Sequence, residues 1–141
     1  MFRHYGPRFH ILHCRVQQRM TNALAEMELT GQQGRVIGYV ARCSNPPCPR
    51  DIEQVFRLSH PTVSGLLSRL EKKGFLRLEP DPADKRCKRI FLLPKGEACC
   101  KLTDQTIAST EDLLIQGFSE DEKAQFLLLL DRAIANIKKE E

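Results

Sequence analysis

Apolar residues recur along this chain at two different periods, and the changes of period mark out its elements. Between residues 9 and 27, Ile11, Leu12, Val16, Met20, Leu24 and Met27 fall at three- and four-residue steps, which predicts a helix with one buried face. Thr30-Gly31-Gln32-Gln33 is a T-x-x-Q capping box, so a second helix starts there and runs to about Arg42. Gly31, Gly34 and Gly38 would let a neighbouring helix approach it closely, at some cost in helix propensity. Ser44-Asn45-Pro46-Pro47 breaks the pattern. A short third helix follows from Pro49, suited to a first helical position, to Leu58. Ser59 caps a fourth, in which Val63, Leu66, Leu67 and Leu70 make one buried stripe, and Gly74 ends it.

The period then shortens. Residues 75–79 and 89–93 read as two short strands joined by PDPADKRCK, a turn-rich basic loop. Helical spacing resumes near Pro94 and continues to Gln116, stopped by Gly117. Ser119-Glu120-Asp121-Glu122 is another capping box, opening a last helix that reaches about Lys139. Residues 126–130, Ile134 and Ile137 give that helix more apolar surface than one face needs, which predicts burial against a second chain. The fold class is therefore mainly α with a small β-hairpin.

Composition narrows the picture. An apolar content of 41% over 141 residues suits a globular chain with a real core. No apolar run reaches the roughly 18 residues of a membrane span, and MFRHYGPRFH does not read as a signal peptide. These features predict a cytoplasmic protein with no membrane partner, its six cysteines reduced. Cys14, Cys99 and Cys100 fall in helical segments, where buried thiols act as small hydrophobes. Charge is asymmetric: residues 50–95 carry eleven Lys/Arg against six Asp/Glu, whereas residues 104–141 carry four against nine. A basic front and an acidic back suit a protein that meets a polyanion on one side; a solvated surface with no partner is the bland alternative.

Helix, tight turn and amphipathic helix form a helix-turn-helix, whose second helix enters the DNA major groove led by its N-terminal residues. Opposite the buried stripe lie Pro61, Ser64, Gly65, Ser68 and Lys72, flanked by Thr62 and Arg69. Small groups let the backbone sit deep, hydroxyls reach base edges or phosphates, and Arg and Lys neutralise phosphate. Gly65 in mid-helix costs about 1 kcal/mol against alanine, which close DNA contact would justify. The hairpin then reads as a wing, with Lys85, Arg86, Lys88 and Arg89 clustered in it; Arg86 at its tip could enter the minor groove. Asp84 is odd in a DNA-facing loop unless an ion pair orients Arg86 or ties Asp84 to Arg69.

In these residues the sequence resembles the MarR family of winged helix-turn-helix regulators. SHPTVSGLLSRLEKKGFL resembles that family's recognition helix, and DPADKR, followed by a strand and LPKG, resembles its wing signature. The order of helices also matches, so the resemblance covers essentially the whole chain; LLPKG departs from it where a threonine is usual. The resemblance implies a single domain over 1–141, with a DNA-binding part at about 30–95 and dimerisation helices at about 1–29 and 96–141. It implies DNA contacts at Ser59, Thr62, Ser64, Ser68 and Arg69 and a wing pair of Asp84 and Arg86. It further implies a homodimer on a pseudopalindromic double-stranded operator, usually as a repressor, released by a small ligand, often an aromatic or phenolic acid, or by an oxidant. No cofactor is expected.

Thiol sensing is the runner-up within the same fold. Cys48 sits where an N-cap is expected, where the helix N-terminus and Arg50 would favour reactivity, and Cys43 lies across the Pro-Pro turn as a conceivable partner. Oxidant-sensing members of the family often carry a reactive cysteine in the first helix, where Cys14 lies, though without aromatic residues beside it. His10 and Cys14, at i and i+4, have a spacing that can hold a metal, with an ordinary packed helix face as the alternative. A winged-helix protein-interaction module would favour acidic residues on the recognition helix; this one has none before Glu71. An enzyme is not indicated: the chain has no Gly-rich phosphate loop, HExxH, G-x-S-x-G or paired carboxylates.

Overall fold

A computed structural model describes residues 3–139. Its elements run α1 (Tyr5–Ala25), α2 (Gly31–Arg42), α3 (Pro49–Phe56), α4 (His60–Lys72), β1 (Leu76–Pro80), β2 (Lys88–Leu92), α5 (Pro94–Leu114) and α6 (Glu120–Lys138). This is the mainly helical chain with one hairpin that the periodicities predict. Contacts divide it into two compact units, Met1–Ile107 and Ala108–Glu141, with the division falling inside α5.

The first unit holds the core. Val63, Leu67 and Leu70 from α4, Val36 and Ile37 from α2, Ile52 from α3, Phe75, Leu76 and Ile90 around the hairpin, and Cys99 from α5 are all essentially inaccessible to water. Each large aliphatic or aromatic side chain among them contributes roughly 1.5–3 kcal/mol by burial, so α4 is anchored along the whole stripe that its sequence predicts. The Thr30 capping box is present: Gln33 N–H donates to Thr30 Oγ1 at 3.2 Å and Thr30 N–H to Gln33 Oε1 at 3.0 Å. Of the three glycines in α2, Gly34 alone is pressed by a neighbouring helix; an added Cβ would lie 2.7 Å from Leu24 Cδ1 of α1.

The first helix departs from its expected form. It starts at Tyr5 rather than near residue 9, because Pro7 lies in its first turn, where a missing N–H breaks no helical bond. Its apolar stripe is buried only at the C-terminal end: Leu24 is in the core and Met20 and Met27 pack against it, whereas Ile11 and Leu12 are exposed. Cys14, expected to pack as a small hydrophobe, is exposed on the same helix; Cys99 is buried as expected. The strands sit one residue away from their predicted limits. Phe75 N–H is taken by the Leu70 carbonyl at 3.0 Å in closing α4, so the ladder opens at Leu76, opposite Leu92.

In the second unit, Ser119 caps α6 through the predicted box, its Oγ accepting from Glu122 N–H at 3.2 Å while its own N–H donates to Glu122 Oε2 at 2.8 Å. Phe118 and Phe126 meet edge to face at 5.7 Å. No described residue of α6 is fully buried; Leu127 is 62% exposed and Ile137 72%.

Candidate nucleic-acid interface

The helix-turn-helix is built by local rules. Arg57 closes α3 in the left-handed region (φ 52°), and Leu58 N–H returns to the Glu53 carbonyl at 3.1 Å, which stops the helix before Leu58 and turns the chain sharply. Ser59 then caps α4, accepting Thr62 N–H at 3.4 Å, and the two hydroxyls share a 2.8 Å hydrogen bond. A 2.6 Å bond between His60 Nδ1 and Glu53 Oε1 ties the first turn of α4 back to α3. With the stripe of α4 facing the core, Ser59, Pro61, Thr62, Ser64, Ser68, Arg69 and Lys72 are exposed, and Gly65 is half-buried with nothing within 4 Å of where a Cβ would stand.

The hairpin is fastened at both ends. Glu71 of α4 accepts Leu78 N–H at 2.9 Å, and Ile90 N–H donates to the Pro47 carbonyl at 2.9 Å, joining the Pro-Pro segment to β2. Arg89 makes a 2.9 Å ion pair with Asp81 and also donates to the Pro46 carbonyl at 3.2 Å. Ala83 N–H and Arg89 together hold the Asp81 carboxyl below the usual carboxylate range, and Asp81 in turn raises the Arg89 guanidinium. Arg89, read from sequence as part of the wing's basic cluster, is thus a structural clamp.

The wing loop is closed by Asp81 N–H donating to the Cys87 carbonyl at 2.8 Å and Cys87 N–H to the Asp84 carbonyl at 2.9 Å. Asp84 acts differently from its expected ion pair. Its Oδ1 accepts the backbone N–H of Arg86 at 3.0 Å, and among the described residues it forms no salt bridge with Arg86 or Arg69. A short side chain two residues upstream finds the backbone amide within reach, an Asx turn, before any long cation. Asp84 therefore shapes the loop that carries Arg86. Lys85, Arg86 and Lys88 are exposed and, among the described residues, belong to no ion pair.

Ser64 and Ser68 of α4 and Asp84, Arg86 and Lys88 of the wing line one cleft of about 740 Å³, with Cys48, Arg50 and Glu53 of the α3 side as its other wall. Ser59, Pro61, Thr62, Gly65, Arg69, Lys72 and Lys85 lie outside that cleft. Sequence reasoning missed Asp81, Glu71 and Glu53, whose partners are seven or eight residues away across a turn. It also missed Cys87, though this residue directly follows Arg86.

The cysteines fall into distinct settings. Cys48 is the N-cap of α3 as predicted, but its neighbour is acidic: its N–H donates to Asp51 Oδ2 at 2.9 Å and its thiol to the same oxygen at 3.3 Å. The Cys87 thiol is raised first by burial and then by the Cys48 side chain. Cys43 instead hydrogen-bonds the Tyr39 side chain, which raises the phenol. Burial pushes the Cys99 thiol up to about 11, so it stays protonated and inert. Cys14 Sγ lies 3.5 Å from His10 Nε2, and among the described residues no group of three His, Cys, Asp or Glu is arranged to hold a metal.

With this geometry in place, the chain can be compared with known proteins. The MarR family model matches residues 27–86, from the end of α1 to the tip of the wing. The chain is 26% identical over 132 residues to the multiple antibiotic resistance protein MarR of Salmonella typhimurium, covering 92% of this chain and 90% of that protein. It is 24% identical over 116 residues to YybA of Bacillus subtilis, described as an uncharacterised HTH-type transcriptional regulator, covering 82% and 76%. Among solved structures, S. aureus MepR in complex with DNA superposes with a TM-score of 0.83 at 25% identity, covering 94% of this chain and 99% of that one.

Proposed function

We propose that this chain is a transcriptional regulator of the MarR family, whose model it matches over residues 27–86, and that it binds a pseudopalindromic double-stranded DNA operator as a homodimer. As a transcriptional regulator it is not an enzyme. In this reading α4 enters the major groove. Ser59, Pro61, Thr62, Ser64, Gly65 and Ser68 present small and hydroxyl groups to bases and phosphates, and Arg69 and Lys72 neutralise phosphate. Lys85, Arg86 and Lys88 flank the helix from the wing, with Arg86 in the adjacent minor groove. The observation that carries the reading is the pairing of an exposed, small and cationic α4 face with a wing whose three cations have no counter-ion among the described residues. The solved MepR complex supports it, since a protein of similar fold is seen there with DNA.

The homodimer rests on the exposed apolar residues of α1 and, separately, of α6, which a second copy would cover. Two copies then present two α4 helices roughly 34–36 Å apart, one turn of DNA. We take the protein to be a cytoplasmic repressor whose DNA is released by a small aromatic or phenolic ligand. Selection of bound genomic fragments, followed by anisotropy titration of the winning fragment, tests this. A selected inverted repeat, with roughly tenfold or greater loss of affinity in Arg86→Ala at unchanged fold, is expected. Recovery of no preferred sequence at physiological salt would overturn sequence-specific binding, and unchanged affinity in Arg86→Ala would overturn the wing's part in it.

A further inference from the structure

We propose that Cys48 and Cys87 are a redox pair, at which a hydroperoxide closes an intramolecular disulfide between the α3 N-cap and the wing. The pairing stands on backbone geometry first. Ile90 N–H bonds the Pro47 carbonyl at 2.9 Å and Arg89 bonds the Pro46 carbonyl at 3.2 Å, so the residues just before Cys48 are laced to the strand just after Cys87. Both thiols line the same cleft and both are partly exposed, and the Cys48 side chain is among the causes that raise the Cys87 thiol. A disulfide needs sulfurs about 2.0 Å apart and α-carbons within about 7 Å, and the lacing of the two backbone segments holds both thiols at the one cleft where such a bond would form.

The order of events follows from the neighbours. The Cys48 thiol donates to the Asp51 carboxylate, which is placed to receive its proton. Burial raises the Cys87 thiol and disfavours its thiolate, whereas Cys48 stands at the N-terminus of α3, so Cys48 is assigned as the first sulfur oxidised. The Cys48 sulfur attacks the hydroperoxide, breaking its O–O bond, taking one oxygen to become a sulfenic acid and releasing an alcohol (water, if the oxidant is hydrogen peroxide). The Cys87 sulfur then attacks the Cys48 sulfur, forming the S–S bond and expelling the hydroxyl as water. Two thiols and one hydroperoxide give one disulfide, one alcohol and one water.

The consequence rests on the DNA-binding reading above. Cys87 closes the wing loop through its carbonyl to Asp81 and its N–H to Asp84, and it adjoins Arg86. Drawing Cys87 onto Cys48 therefore re-aims the loop that carries Arg86, and oxidation lowers operator affinity.

The full-length protein treated with hydrogen peroxide, then mapped by peptide mass spectrometry and titrated with the selected operator, tests both steps. Expected are a 48–87 linked peptide, its disappearance on reduction and in Cys48→Ser and Cys87→Ser, and a roughly tenfold weaker operator complex in the oxidised wild type only. A link from Cys14 or Cys43 in place of the 48–87 link, or no link at all, overturns the pair. The 48–87 link with unchanged operator affinity overturns the switch. Failure of the DNA reading would show separately, as a reduced protein that binds no operator, while the mass measurement still reports on the bond.

Discussion

Replacing Gly65 with alanine adds one methyl group to the middle of α4 and should move stability and DNA affinity in opposite directions. Gly65 has helical backbone, and nothing lies within 4 Å of the position a Cβ would take. The methyl therefore meets no protein atom, and the folded state gains the helix propensity that glycine forgoes, about 0.5–1 kcal/mol. For a chain of this size that raises Tm by about 2–4 °C. The same empty space is where the proposed interface needs DNA to come close. A Cβ stands about 1.5 Å from its Cα, so the helix must withdraw by about that distance and stretch the contacts of the neighbouring Ser64 and Ser68. Losing one well-formed base contact costs about 1–3 kcal/mol, so affinity should fall roughly tenfold. Differential scanning calorimetry and fluorescence anisotropy at one fixed salt concentration read the two quantities. A raised Tm with unchanged affinity would refute the placement of Gly65 against DNA; a lowered Tm would refute the open geometry itself.

Gly96→Ala tests the opposite situation. Its Cβ would collide with the Phe75 carbonyl oxygen, which already accepts Leu93 N–H at 3.0 Å, and would crowd Leu92 Cδ2 at 3.1 Å; calorimetry should show a loss of about 1–3 kcal/mol, and a neutral result would contradict the close approach. Leu128→Glu on α6 places a charge on a side chain that is 55% exposed. It should leave the helical circular dichroism intact and convert the proposed dimer to monomer by light scattering, and a surviving dimer would exclude that face from the interface. The Asp81 carboxyl should titrate by NMR below the ordinary value of about 3.9, held down first by Ala83 N–H and then by Arg89. Because the folded value is depressed, this clamp is fully present above the unfolded value and is lost as pH falls through the folded one. Arg89→Gln should move the midpoint up, and a midpoint that does not move would deny the ion pair.

Much of this molecule was legible because its determinants are close together in the chain. The capping boxes at Thr30 and Ser119, the cap at Ser59, the stripe from Val63 to Leu70 and the stop at Gly74 each involve residues a turn or two apart, so spacing alone encodes them. The exposed face of α4 follows from that stripe, since a helix with one side in the core must offer the other to solvent. Local signals misled at two places. The N-terminal half of the α1 stripe has helical spacing but no core beneath it, and Asp84 serves a backbone amide instead of a guanidinium.

The sequence by itself determined the order of elements, the buried side of α4 and a cationic hairpin beside it. Tertiary structure decided what holds that hairpin and what lies next to it. Lys73 reaches the Glu28 carbonyl across 45 positions and Arg89 reaches Pro46 across 43; neither separation leaves a periodic trace. The influence of Cys48 on the Cys87 thiol is of the same kind. Sequence spacing pointed Cys48 toward Cys43, its near neighbour in the chain, but Cys43 turns to Tyr39, and the pairing of Pro47 with Ile90 brings the distant thiol in. Periodicity reports which face of an element is apolar; only the folded backbone reports which faces meet.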